Sequence, residues 1–467
     1  MNEQELLKAT THRDRVSSVN ESGSRKWVFA QMPQGFFYNI RNVVALFYFA
    51  IFFGLPFVKI DGNPLFQFNI PQAKLILFSK IFWPQDFFIF AISMVAFIVF
   101  IVLFTIAFGR LFCGWACPQT FFLEFMFRKI EWLIEGTPMQ QKKLKESPWN
   151  FEKIWKKGLK HFVFIAISFA IANVFLSYII GMDALLEKIT GNIFDNFGTL
   201  LGLIIFTALF YFVFSRVREI VCTTICPYGR LQGAMLDKNS MQISYDYVRG
   251  EPRGKFSKHR EKSLGNCVDC HKCVDVCPTG IDIRNGSQME CVGCTACIDA
   301  CDEIMEKFNF EKGLIRYASE NQISEKKPFE YNTRMKAYTV VLLILITIVA
   351  VLIYRIRSID TYIVRTKGQL YQEIGTDTLS NMYTLKIINK TDKIEKVKLT
   401  LDKKEGIIQY IGYNELVLQK EKVNEFTFLV KFHKGIIKKR STPIVFEVWN
   451  DGKSLQTVKT SFYGPFQ

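Results

Sequence analysis

Eight of the chain's twelve cysteines fall within thirty-five residues and form two matching runs. The first is Cys267, Cys270, Cys273 and Cys277, followed by Pro278; the second is Cys291, Cys294, Cys297 and Cys301. Each reads C-x2-C-x2-C-x3-C, the spacing that wraps a cubane [4Fe–4S] cluster. Three close thiolates on a tight loop take three corners of the cube. The fourth lies too far along the backbone for the same cube and ligates the other cluster. One run alone is open to chance or to zinc; two in tandem read as a two-cluster electron conduit.

The other four cysteines are Cys113, Cys117, Cys222 and Cys226, in the segments FCGWACP and TTICPYGR. Spacing of i, i+4 puts two thiols on one helix face. Soft thiolates select Cu(I), zinc or iron–sulfur clusters. Plain packing at helix ends is one alternative and a four-thiolate zinc site another. The neighbouring cluster runs favour a redox-active or redox-served site.

These groups must be held by membrane helices. Phe is abundant, at 45 residues, and five apolar runs are long enough to span a bilayer. They cover about residues 42–57, 87–108, 161–180, 199–214 and 336–354. The last carries no charge between Lys336 and Arg355, which favours insertion by roughly 4–7 kcal/mol. The first thirty residues are polar, with no apolar core of a cleaved signal peptide. The net charge of +16 is a topology signal rather than a nucleic-acid footprint. Lys and Arg crowd the N-terminal tail, the 109–160 connection and the 215–335 segment, while the alternate connections are poorer in them. The positive-inside rule then puts the N-terminus and the cluster region in the cytoplasm and the C-terminal region on the far side. No cysteine follows Cys301, so all twelve fall on the reducing side, where metal ligation is favoured over disulfides.

The two spans before each C-x3-C-P form a repeat: span out, span in, cysteine pair, surface helix. Pro suits the first turn of the surface helix. It also pushes the preceding residue out of the helical region, which predicts that the membrane helix breaks at Cys117 and Cys226. Residues 1–35 read as a loosely attached tail. Residues 36–240 form the four-span domain and 241–335 the ferredoxin-like domain, in which metal ligation replaces a hydrophobic core. Residues 336–357 make the fifth span. From 358 to 467 the segments YTLKIINK, KVKLTL, IIQYIG, EFTFLVKF, TPIVFEVW and LQTVKTSFY alternate apolar and polar residues, the pattern of an antiparallel immunoglobulin-like β-sandwich.

Together, FCGWACP, TTICPYGR, the paired cluster runs, the membrane hairpins and a C-terminal β domain resemble the FixG/CcoG cytochrome c oxidase accessory proteins. The resemblance covers the chain beyond its N-terminal tail. It implies a multi-pass bacterial inner-membrane protein needed to assemble the cbb3-type oxidase. By implication it is a cupric reductase holding two [4Fe–4S] clusters, with copper as substrate or bound ion and an unnamed electron donor. Its partners would be oxidase subunits or copper chaperones and transporters, with no role for nucleic acid. By position the cluster ligands are Cys267, Cys270, Cys273 with Cys301, and Cys291, Cys294, Cys297 with Cys277. The copper-handling thiols are Cys113, Cys117, Cys222 and Cys226. Asp302 stands where Pro follows the last cysteine in the usual two-cluster pattern.

Other candidates read more plainly. His271 is a loop histidine and His161 an interfacial cap. Met126, Met182 and Met235 are packing residues. Trp83, Trp115, Trp132, Trp149 and Trp155 fit an aromatic belt, and Asn389-Lys390-Thr391 a turn. Two rival functions share the motifs: a quinol dehydrogenase subunit feeding a periplasmic reductase, and a non-catalytic assembly scaffold with structural clusters.

Overall fold

A computed structural model describes residues 25–465, apart from residues 61, 72–73, 78–79, 192–195, 257–263, 356–358, 367, 369, 392, 403–404, 421, 438 and 451. The chain folds as two compact units. One comprises Met1–Leu55, Phe90–Ser177 and Met182–Val349; the other Pro56–Ile89, Tyr178–Gly181 and Ala350–Gln467.

Five helices among the described residues are long and apolar enough to cross a membrane: Phe36–Phe57, Phe87–Phe108, Phe151–Ile180, Phe197–Val217 and Thr333–Tyr354. The first begins six residues earlier than hydropathy predicts. Its start is set by a cap, because the Asp299 carboxylate accepts from the N–H groups of Phe37 (3.1 Å) and Tyr38 (2.8 Å). Gly35 is required there, since a Cβ would meet Asp299 at 2.5 Å. The third helix begins ten residues before its apolar run. Hydropathy marks only its lipid-like part, whereas the helix continues through Lys153, Lys157 and Lys160.

The second and fourth spans do not break at Cys117 and Cys226 but earlier. Left-handed residues end them, Gly109 at φ 55° and Arg218 at φ 53°. Each stands four residues before the first cysteine of its motif. Pro constrains only its immediate neighbour, so it makes a second break: Cys117 and Cys226 are both extended, at φ/ψ −69°/124° and −66°/115°. Both second cysteines donate their N–H five residues back, Cys117 to the Phe112 carbonyl (3.0 Å) and Cys226 to the Val221 carbonyl (2.7 Å). The duplication read from the motifs is therefore present in the backbone.

The cluster region lies in the same unit. Strands Gln242–Tyr245 and Ile315–Ala318 pair antiparallel, with helices Lys272–Asp275 and Ala296–Lys307 beside the cysteine loops. It has an apolar core of its own, including Ile243, Ile281, Ile283, Ile298, Ile304, Met305 and Ile315, so metal ligation supplements a core rather than replacing it. Met1–Ser24 of the expected loose tail lie outside the described residues. Residues 25–35 are packed: Ala30 is buried, Gln31 N–H reaches the Asp275 carbonyl at 2.8 Å, and Trp132 Nε1 reaches the Ala30 carbonyl at 3.2 Å.

The second unit is the β-sandwich with the first connection and Tyr178–Gly181. One antiparallel sheet orders Ile407–Tyr410, Val423–His433, Thr378–Asn389 and Ile359–Arg365, with Gln372–Ile374 pairing on Thr378–Ser380. The other orders Leu416–Leu418, Glu395–Leu401, Ser441–Asn450 and Lys453–Tyr463. Period-two alternation puts one face of each strand inside. Tyr383 and Phe428 from the first sheet meet Phe446 from the second, with ring centroids 5.4–5.7 Å apart. The first connection contains a three-stranded meander, Phe66–Asn69, Lys74–Leu77 and Lys80–Phe82. Lys390, expected in a turn, is buried and pairs with Asp86 and Asp360 at 2.7 Å each.

Candidate redox site

The two cysteine runs fold into the same loop twice. In the first, Asp269 and His271 take φ 53° and 59°; in the second, Gly293 and Thr295 take φ 68° and 63°. Left-handed residues on either side of the second cysteine turn the loop tightly enough for three thiols to face one space. The fourth cysteine then lands elsewhere. One cavity is lined by Cys267, Cys270, Cys273 and Cys301, walled by Tyr245, Ile304 and Leu314. The other is lined by Cys277, Cys291, Cys294 and Cys297, walled by Ile243, Ile281 and Ile283, with Cys273 at its edge. The fourth thiols are thus exchanged between loops. All twelve cysteines are free thiols. Among the described residues no three His, Cys, Asp or Glu side chains gather tightly enough for a single metal ion. A set of four soft donors around an apolar-walled space, with no one-ion pocket, fits a cubane held at its corners. Burial pushes the bare thiols up, Cys291 to about 11 and Cys294 to about 12. Metal ligation removes that proton outright.

The cages differ in surroundings. Cys270 is exposed, and His271 beside it has a 58% exposed side chain. Arg284, buried against this loop, pairs with Asp269 and Asp282 and lies 3.0 Å from His271 Nδ1. The second loop is buried: Cys294 is 8% and Thr295 0% exposed.

What buries the second loop is the pair of thiol motifs. Cys113 and Cys222 pack on the cluster formed by Val276, Val292, Cys294, Ala296 and Ala300. At the contact a Cβ on Gly114 would stand 2.4 Å from the Gly293 carbonyl oxygen, and one on Gly293 2.7 Å from that of Arg110. Only two glycines let these backbones meet. Cys113 lies in the short helix Leu111–Trp115, whereas Cys117 caps the next one, Pro118–Phe121. The i, i+4 pair therefore straddles a helix end. Burial pushes Cys113 up to about 11, helped by Cys117 and Cys226 and opposed by Arg110 and Gln232. It pushes Cys222 up to about 12, helped by Cys117, Cys113 and Cys226. Cys113 and Cys222 thus each lie within electrostatic reach of the other three thiols.

Several residues of the site carry no motif. Arg41 of the first span donates Nε to the Gly114 carbonyl (3.1 Å) and Nη1 to the Cys294 carbonyl (2.9 Å). Arg110 donates to the carbonyls of Met289, Cys291 (3.2 Å) and Gly229 (2.8 Å). Fully buried Gln232 accepts from Cys113 Sγ at 3.6 Å. Tyr317 OH donates to the Gly293 carbonyl and lies 3.2 Å from Trp115 Nε1. Trp115 and Trp132 thus serve packing contacts, while Trp149 and Trp155 are exposed. His161 Nδ1 meets Tyr211 OH at 3.0 Å.

A buried ion network flanks the second motif. Arg218 pairs with Glu131 (2.7 Å) and Glu219 (3.5 Å), and Lys160 with Glu131 (3.5 Å) and Glu135 (2.8 Å). Arg128 reaches Glu124 (2.9 Å), and Arg25 reaches Glu219 (2.9 Å). Some of the basic residues that mark topology in the sequence are therefore interior counter-ions.

Comparison with known proteins bears on the whole arrangement. Residues 217–320 match a family model described as a 4Fe-4S dicluster domain, and residues 90–135, which contain Cys113 and Cys117, one described as a 4Fe-4S binding domain. Residues 349–465 match the IG-like fold at the C-terminal of FixG. The nitrogen fixation protein FixG of Rhizobium meliloti is 35% identical over 68% of this chain and 63% of its own length, a little under two thirds. Protein RdxA of Cereibacter sphaeroides is 31% identical over 81% of this chain and 83% of its own. The chain belongs to the FixG family. As a FixG-family protein it is a membrane protein of the iron–sulfur electron-transfer type, with the expected helical membrane domain, two-cluster region and immunoglobulin-like C-terminal domain. A FixG-related protein from Vibrio parahaemolyticus aligns over 24% of this chain and all of its own, at 19% identity and TM-score 0.21, too slight a likeness to argue from.

Proposed function

We propose that this FixG-family chain is a membrane-bound cupric reductase serving assembly of the cbb3-type oxidase. The observation that carries it is the contact of Cys113 and Cys222, one thiol from each motif, with the second cysteine loop, where Gly114 meets Gly293. Cys267, Cys270, Cys273 and Cys301 hold one [4Fe–4S] cluster; Cys291, Cys294, Cys297 and Cys277 hold the other. When bound, these clusters carry one electron at a time. The chain's own residues do the rest. Cys113, Cys117, Cys222 and Cys226 receive copper, the substrate, and favour its reduced form, because thiolates stabilise Cu(I) over Cu(II). Each turnover takes one electron from a low-potential one-electron carrier and converts Cu(II) to Cu(I). Cu(I) then goes to the oxidase or to a copper chaperone or transporter.

The proposed orientation puts residues 1–35 and the cluster region in the cytoplasm and residues 358–467 in the periplasm, across a bacterial inner membrane. The ranges 36–240 and 336–357 form its membrane part. Reporter fusions at Gln288 and Asn450 should give cytoplasmic and periplasmic signals; a cytoplasmic signal from both would sink the five-span topology.

A second reading, a quinol dehydrogenase subunit, has one observation in its favour. A cavity of about 100 Å³ lies beside Cys291 at the end of the second span, lined by Phe108, Leu111, Leu236, Gln242 and Tyr317. The test uses anaerobically purified chain, dithionite, Cu(II) and a Cu(I)-specific chelator. The parent should generate Cu(I), and the double change Cys113→Ser with Cys117→Ser should abolish it with the iron–sulfur spectrum intact. Reduction at the parent rate would remove the thiols from the path; cluster bleaching by a quinol analogue would then favour the second reading. Iron near about eight atoms per chain fits two clusters; about twelve would show that the thiols hold a third.

A further inference from the structure

Two buried arginines beside the second cage have no carboxylate in ion-pair contact among the described residues. Arg41 is 3% and Arg110 8% exposed, and each forms hydrogen bonds only to backbone carbonyls. Arg41 Nη2 is buried with no acceptor at all. Asp299 and Glu290 are near enough to be felt electrostatically, but neither lies within 4.0 Å of either guanidinium. Arg41 also lies over the Phe125 ring, 4.9 Å from its centroid, but a buried cation without a close counter-ion is unfavourable, and among the described residues neither guanidinium has one. The four thiols of the second cage supply a close anion when they are ligated as thiolates. The first cage is arranged the other way: its buried Arg284 is already neutralised by Asp269 and Asp282.

The two arginines also occupy matching places. Arg41 ties the Cys294 carbonyl to Gly114 of the first thiol motif. Arg110 ties the Cys291 carbonyl to Gly229, just past the second motif. Each spans the junction between the second cage and one thiol pair.

We infer that Arg41 and Arg110 are the counter-charges of the second cluster, holding its reduction potential up so that electrons arriving at the exposed first cage run toward the thiols. Added negative charge in a buried site is opposed by desolvation, and net local charge is one of the levers that sets a cluster's potential. Two fixed cations offset that opposition where it is greatest. They are positioning and tuning residues, touching ligand backbones rather than copper. The inference rests on the two-cluster assignment proposed above but not on copper as the substrate.

The test is a dithionite titration of the full chain in detergent, without copper, followed by EPR. Cys294→Ser identifies the second cluster's signal by its loss. Arg41→Gln and Arg110→Gln should each lower that cluster's midpoint by at least a tenfold change in the one-electron equilibrium, about 59 mV. The first cluster should move less than threefold. Arg41→Lys, which keeps the charge, should restore most of the shift. The inference falls if both clusters move together, if neither moves, or if Lys behaves as Gln. Should the neutral variants fail to accumulate, the unmodified chain decides: the second cluster must be reduced first, and prior reduction of the first overturns the inference. A chain without iron and sulfide would overturn the cluster assignment itself, whereas failed copper reduction with these shifts intact would overturn only the cupric reading.

Discussion

The loops 267–277 and 291–301 share their spacing and their backbone but not their surroundings. Both place left-handed residues two and four positions after the first cysteine. In the first loop these are Asp269 and His271, facing solvent and Arg284. In the second they are Gly293 and Thr295, with another stretch of backbone against them. The thiol motifs repeat the lesson. Gly109 and Arg218 occupy equivalent positions with nearly equal φ. A Cβ at Gly109 would meet the Met241 carbonyl oxygen at 2.6 Å, so glycine is needed there. At Arg218 the side chain has work in the ion network, and its sparsely populated backbone conformation, φ 53° and ψ −122°, costs of order 1–3 kcal/mol. Cysteine spacing therefore specifies the cage, while the residue at each left-handed position records what packs on it.

The strongest way to break the loop comparison is to remove its exchanged thiols. Cys277→Ser should empty the cage of Cys291, Cys294 and Cys297, and Cys301→Ser the other, each costing about half the iron. Iron counts and EPR of the two variants decide it. If Cys277→Ser strips the cage of its own neighbours instead, the loops are independent.

The motif comparison is sharpened by unequal electrostatics. Glu131→Gln leaves Arg218 and Lys160 short of a buried partner and should destabilise the chain by about 3–5 kcal/mol. Gly109→Ala, at the equivalent position but with no side chain in the network, should cost about 1–3 kcal/mol through overpacking, plus the left-handed penalty. Thermal unfolding in detergent measures both; a smaller effect at Glu131 would reverse the assignment of the network as the main anchor. Acid tests the same carboxylate. Burial pushes Glu131 up, but Arg218, Lys160 and Arg128 outweigh it and hold its pKa below the ordinary 4.5. Its stabilising contribution is therefore complete above that value and lost as pH falls through the lower folded pKa. The Glu131→Gln variant should show less acid sensitivity below pH 4.5 than the parent.

How much of this was legible in the sequence follows from the range of each interaction. Cysteine spacing, apolar runs and period-two strands are local patterns, and they gave the loops, the five spans and the sandwich. The sandwich strand Ile359–Arg365 precedes YTLKIINK, the first segment read as a strand, and in the meander before the second span only Phe66–Asn69 alternates. The Arg41–Cys294 and Gly114–Gly293 contacts join residues far apart in the chain, and nothing near Arg41 distinguishes it from a topology charge. A signal did exist for the glycines. Gly114 lies inside the first thiol motif and Gly293 inside the second cysteine run, whereas the partner motif and run carry Thr223 and Asp269 at those positions. The internal repeat itself thus marks where the chain packs on itself.

The smallest predicted effect uses that mark directly. Gly293→Ala should strain a left-handed residue and drive a Cβ into the Arg110 carbonyl, loosening the junction by about 2–5 kcal/mol on the combined costs of handedness and overpacking. The reciprocal change, Asp269→Gly, meets no such barrier. It removes the left-handed penalty but frees the unfolded backbone and gives up the Arg284 pair. These terms nearly cancel, so stability should change by less than about 1 kcal/mol and both clusters should remain. Arg284 keeps Asp282 at 2.7 Å, so its charge stays compensated and the first cluster's midpoint should hardly move. Parallel unfolding curves and redox titrations of Gly293→Ala and Asp269→Gly measure the asymmetry. Equal effects at the two positions would mean that the loops differ in sequence without differing in the load they bear.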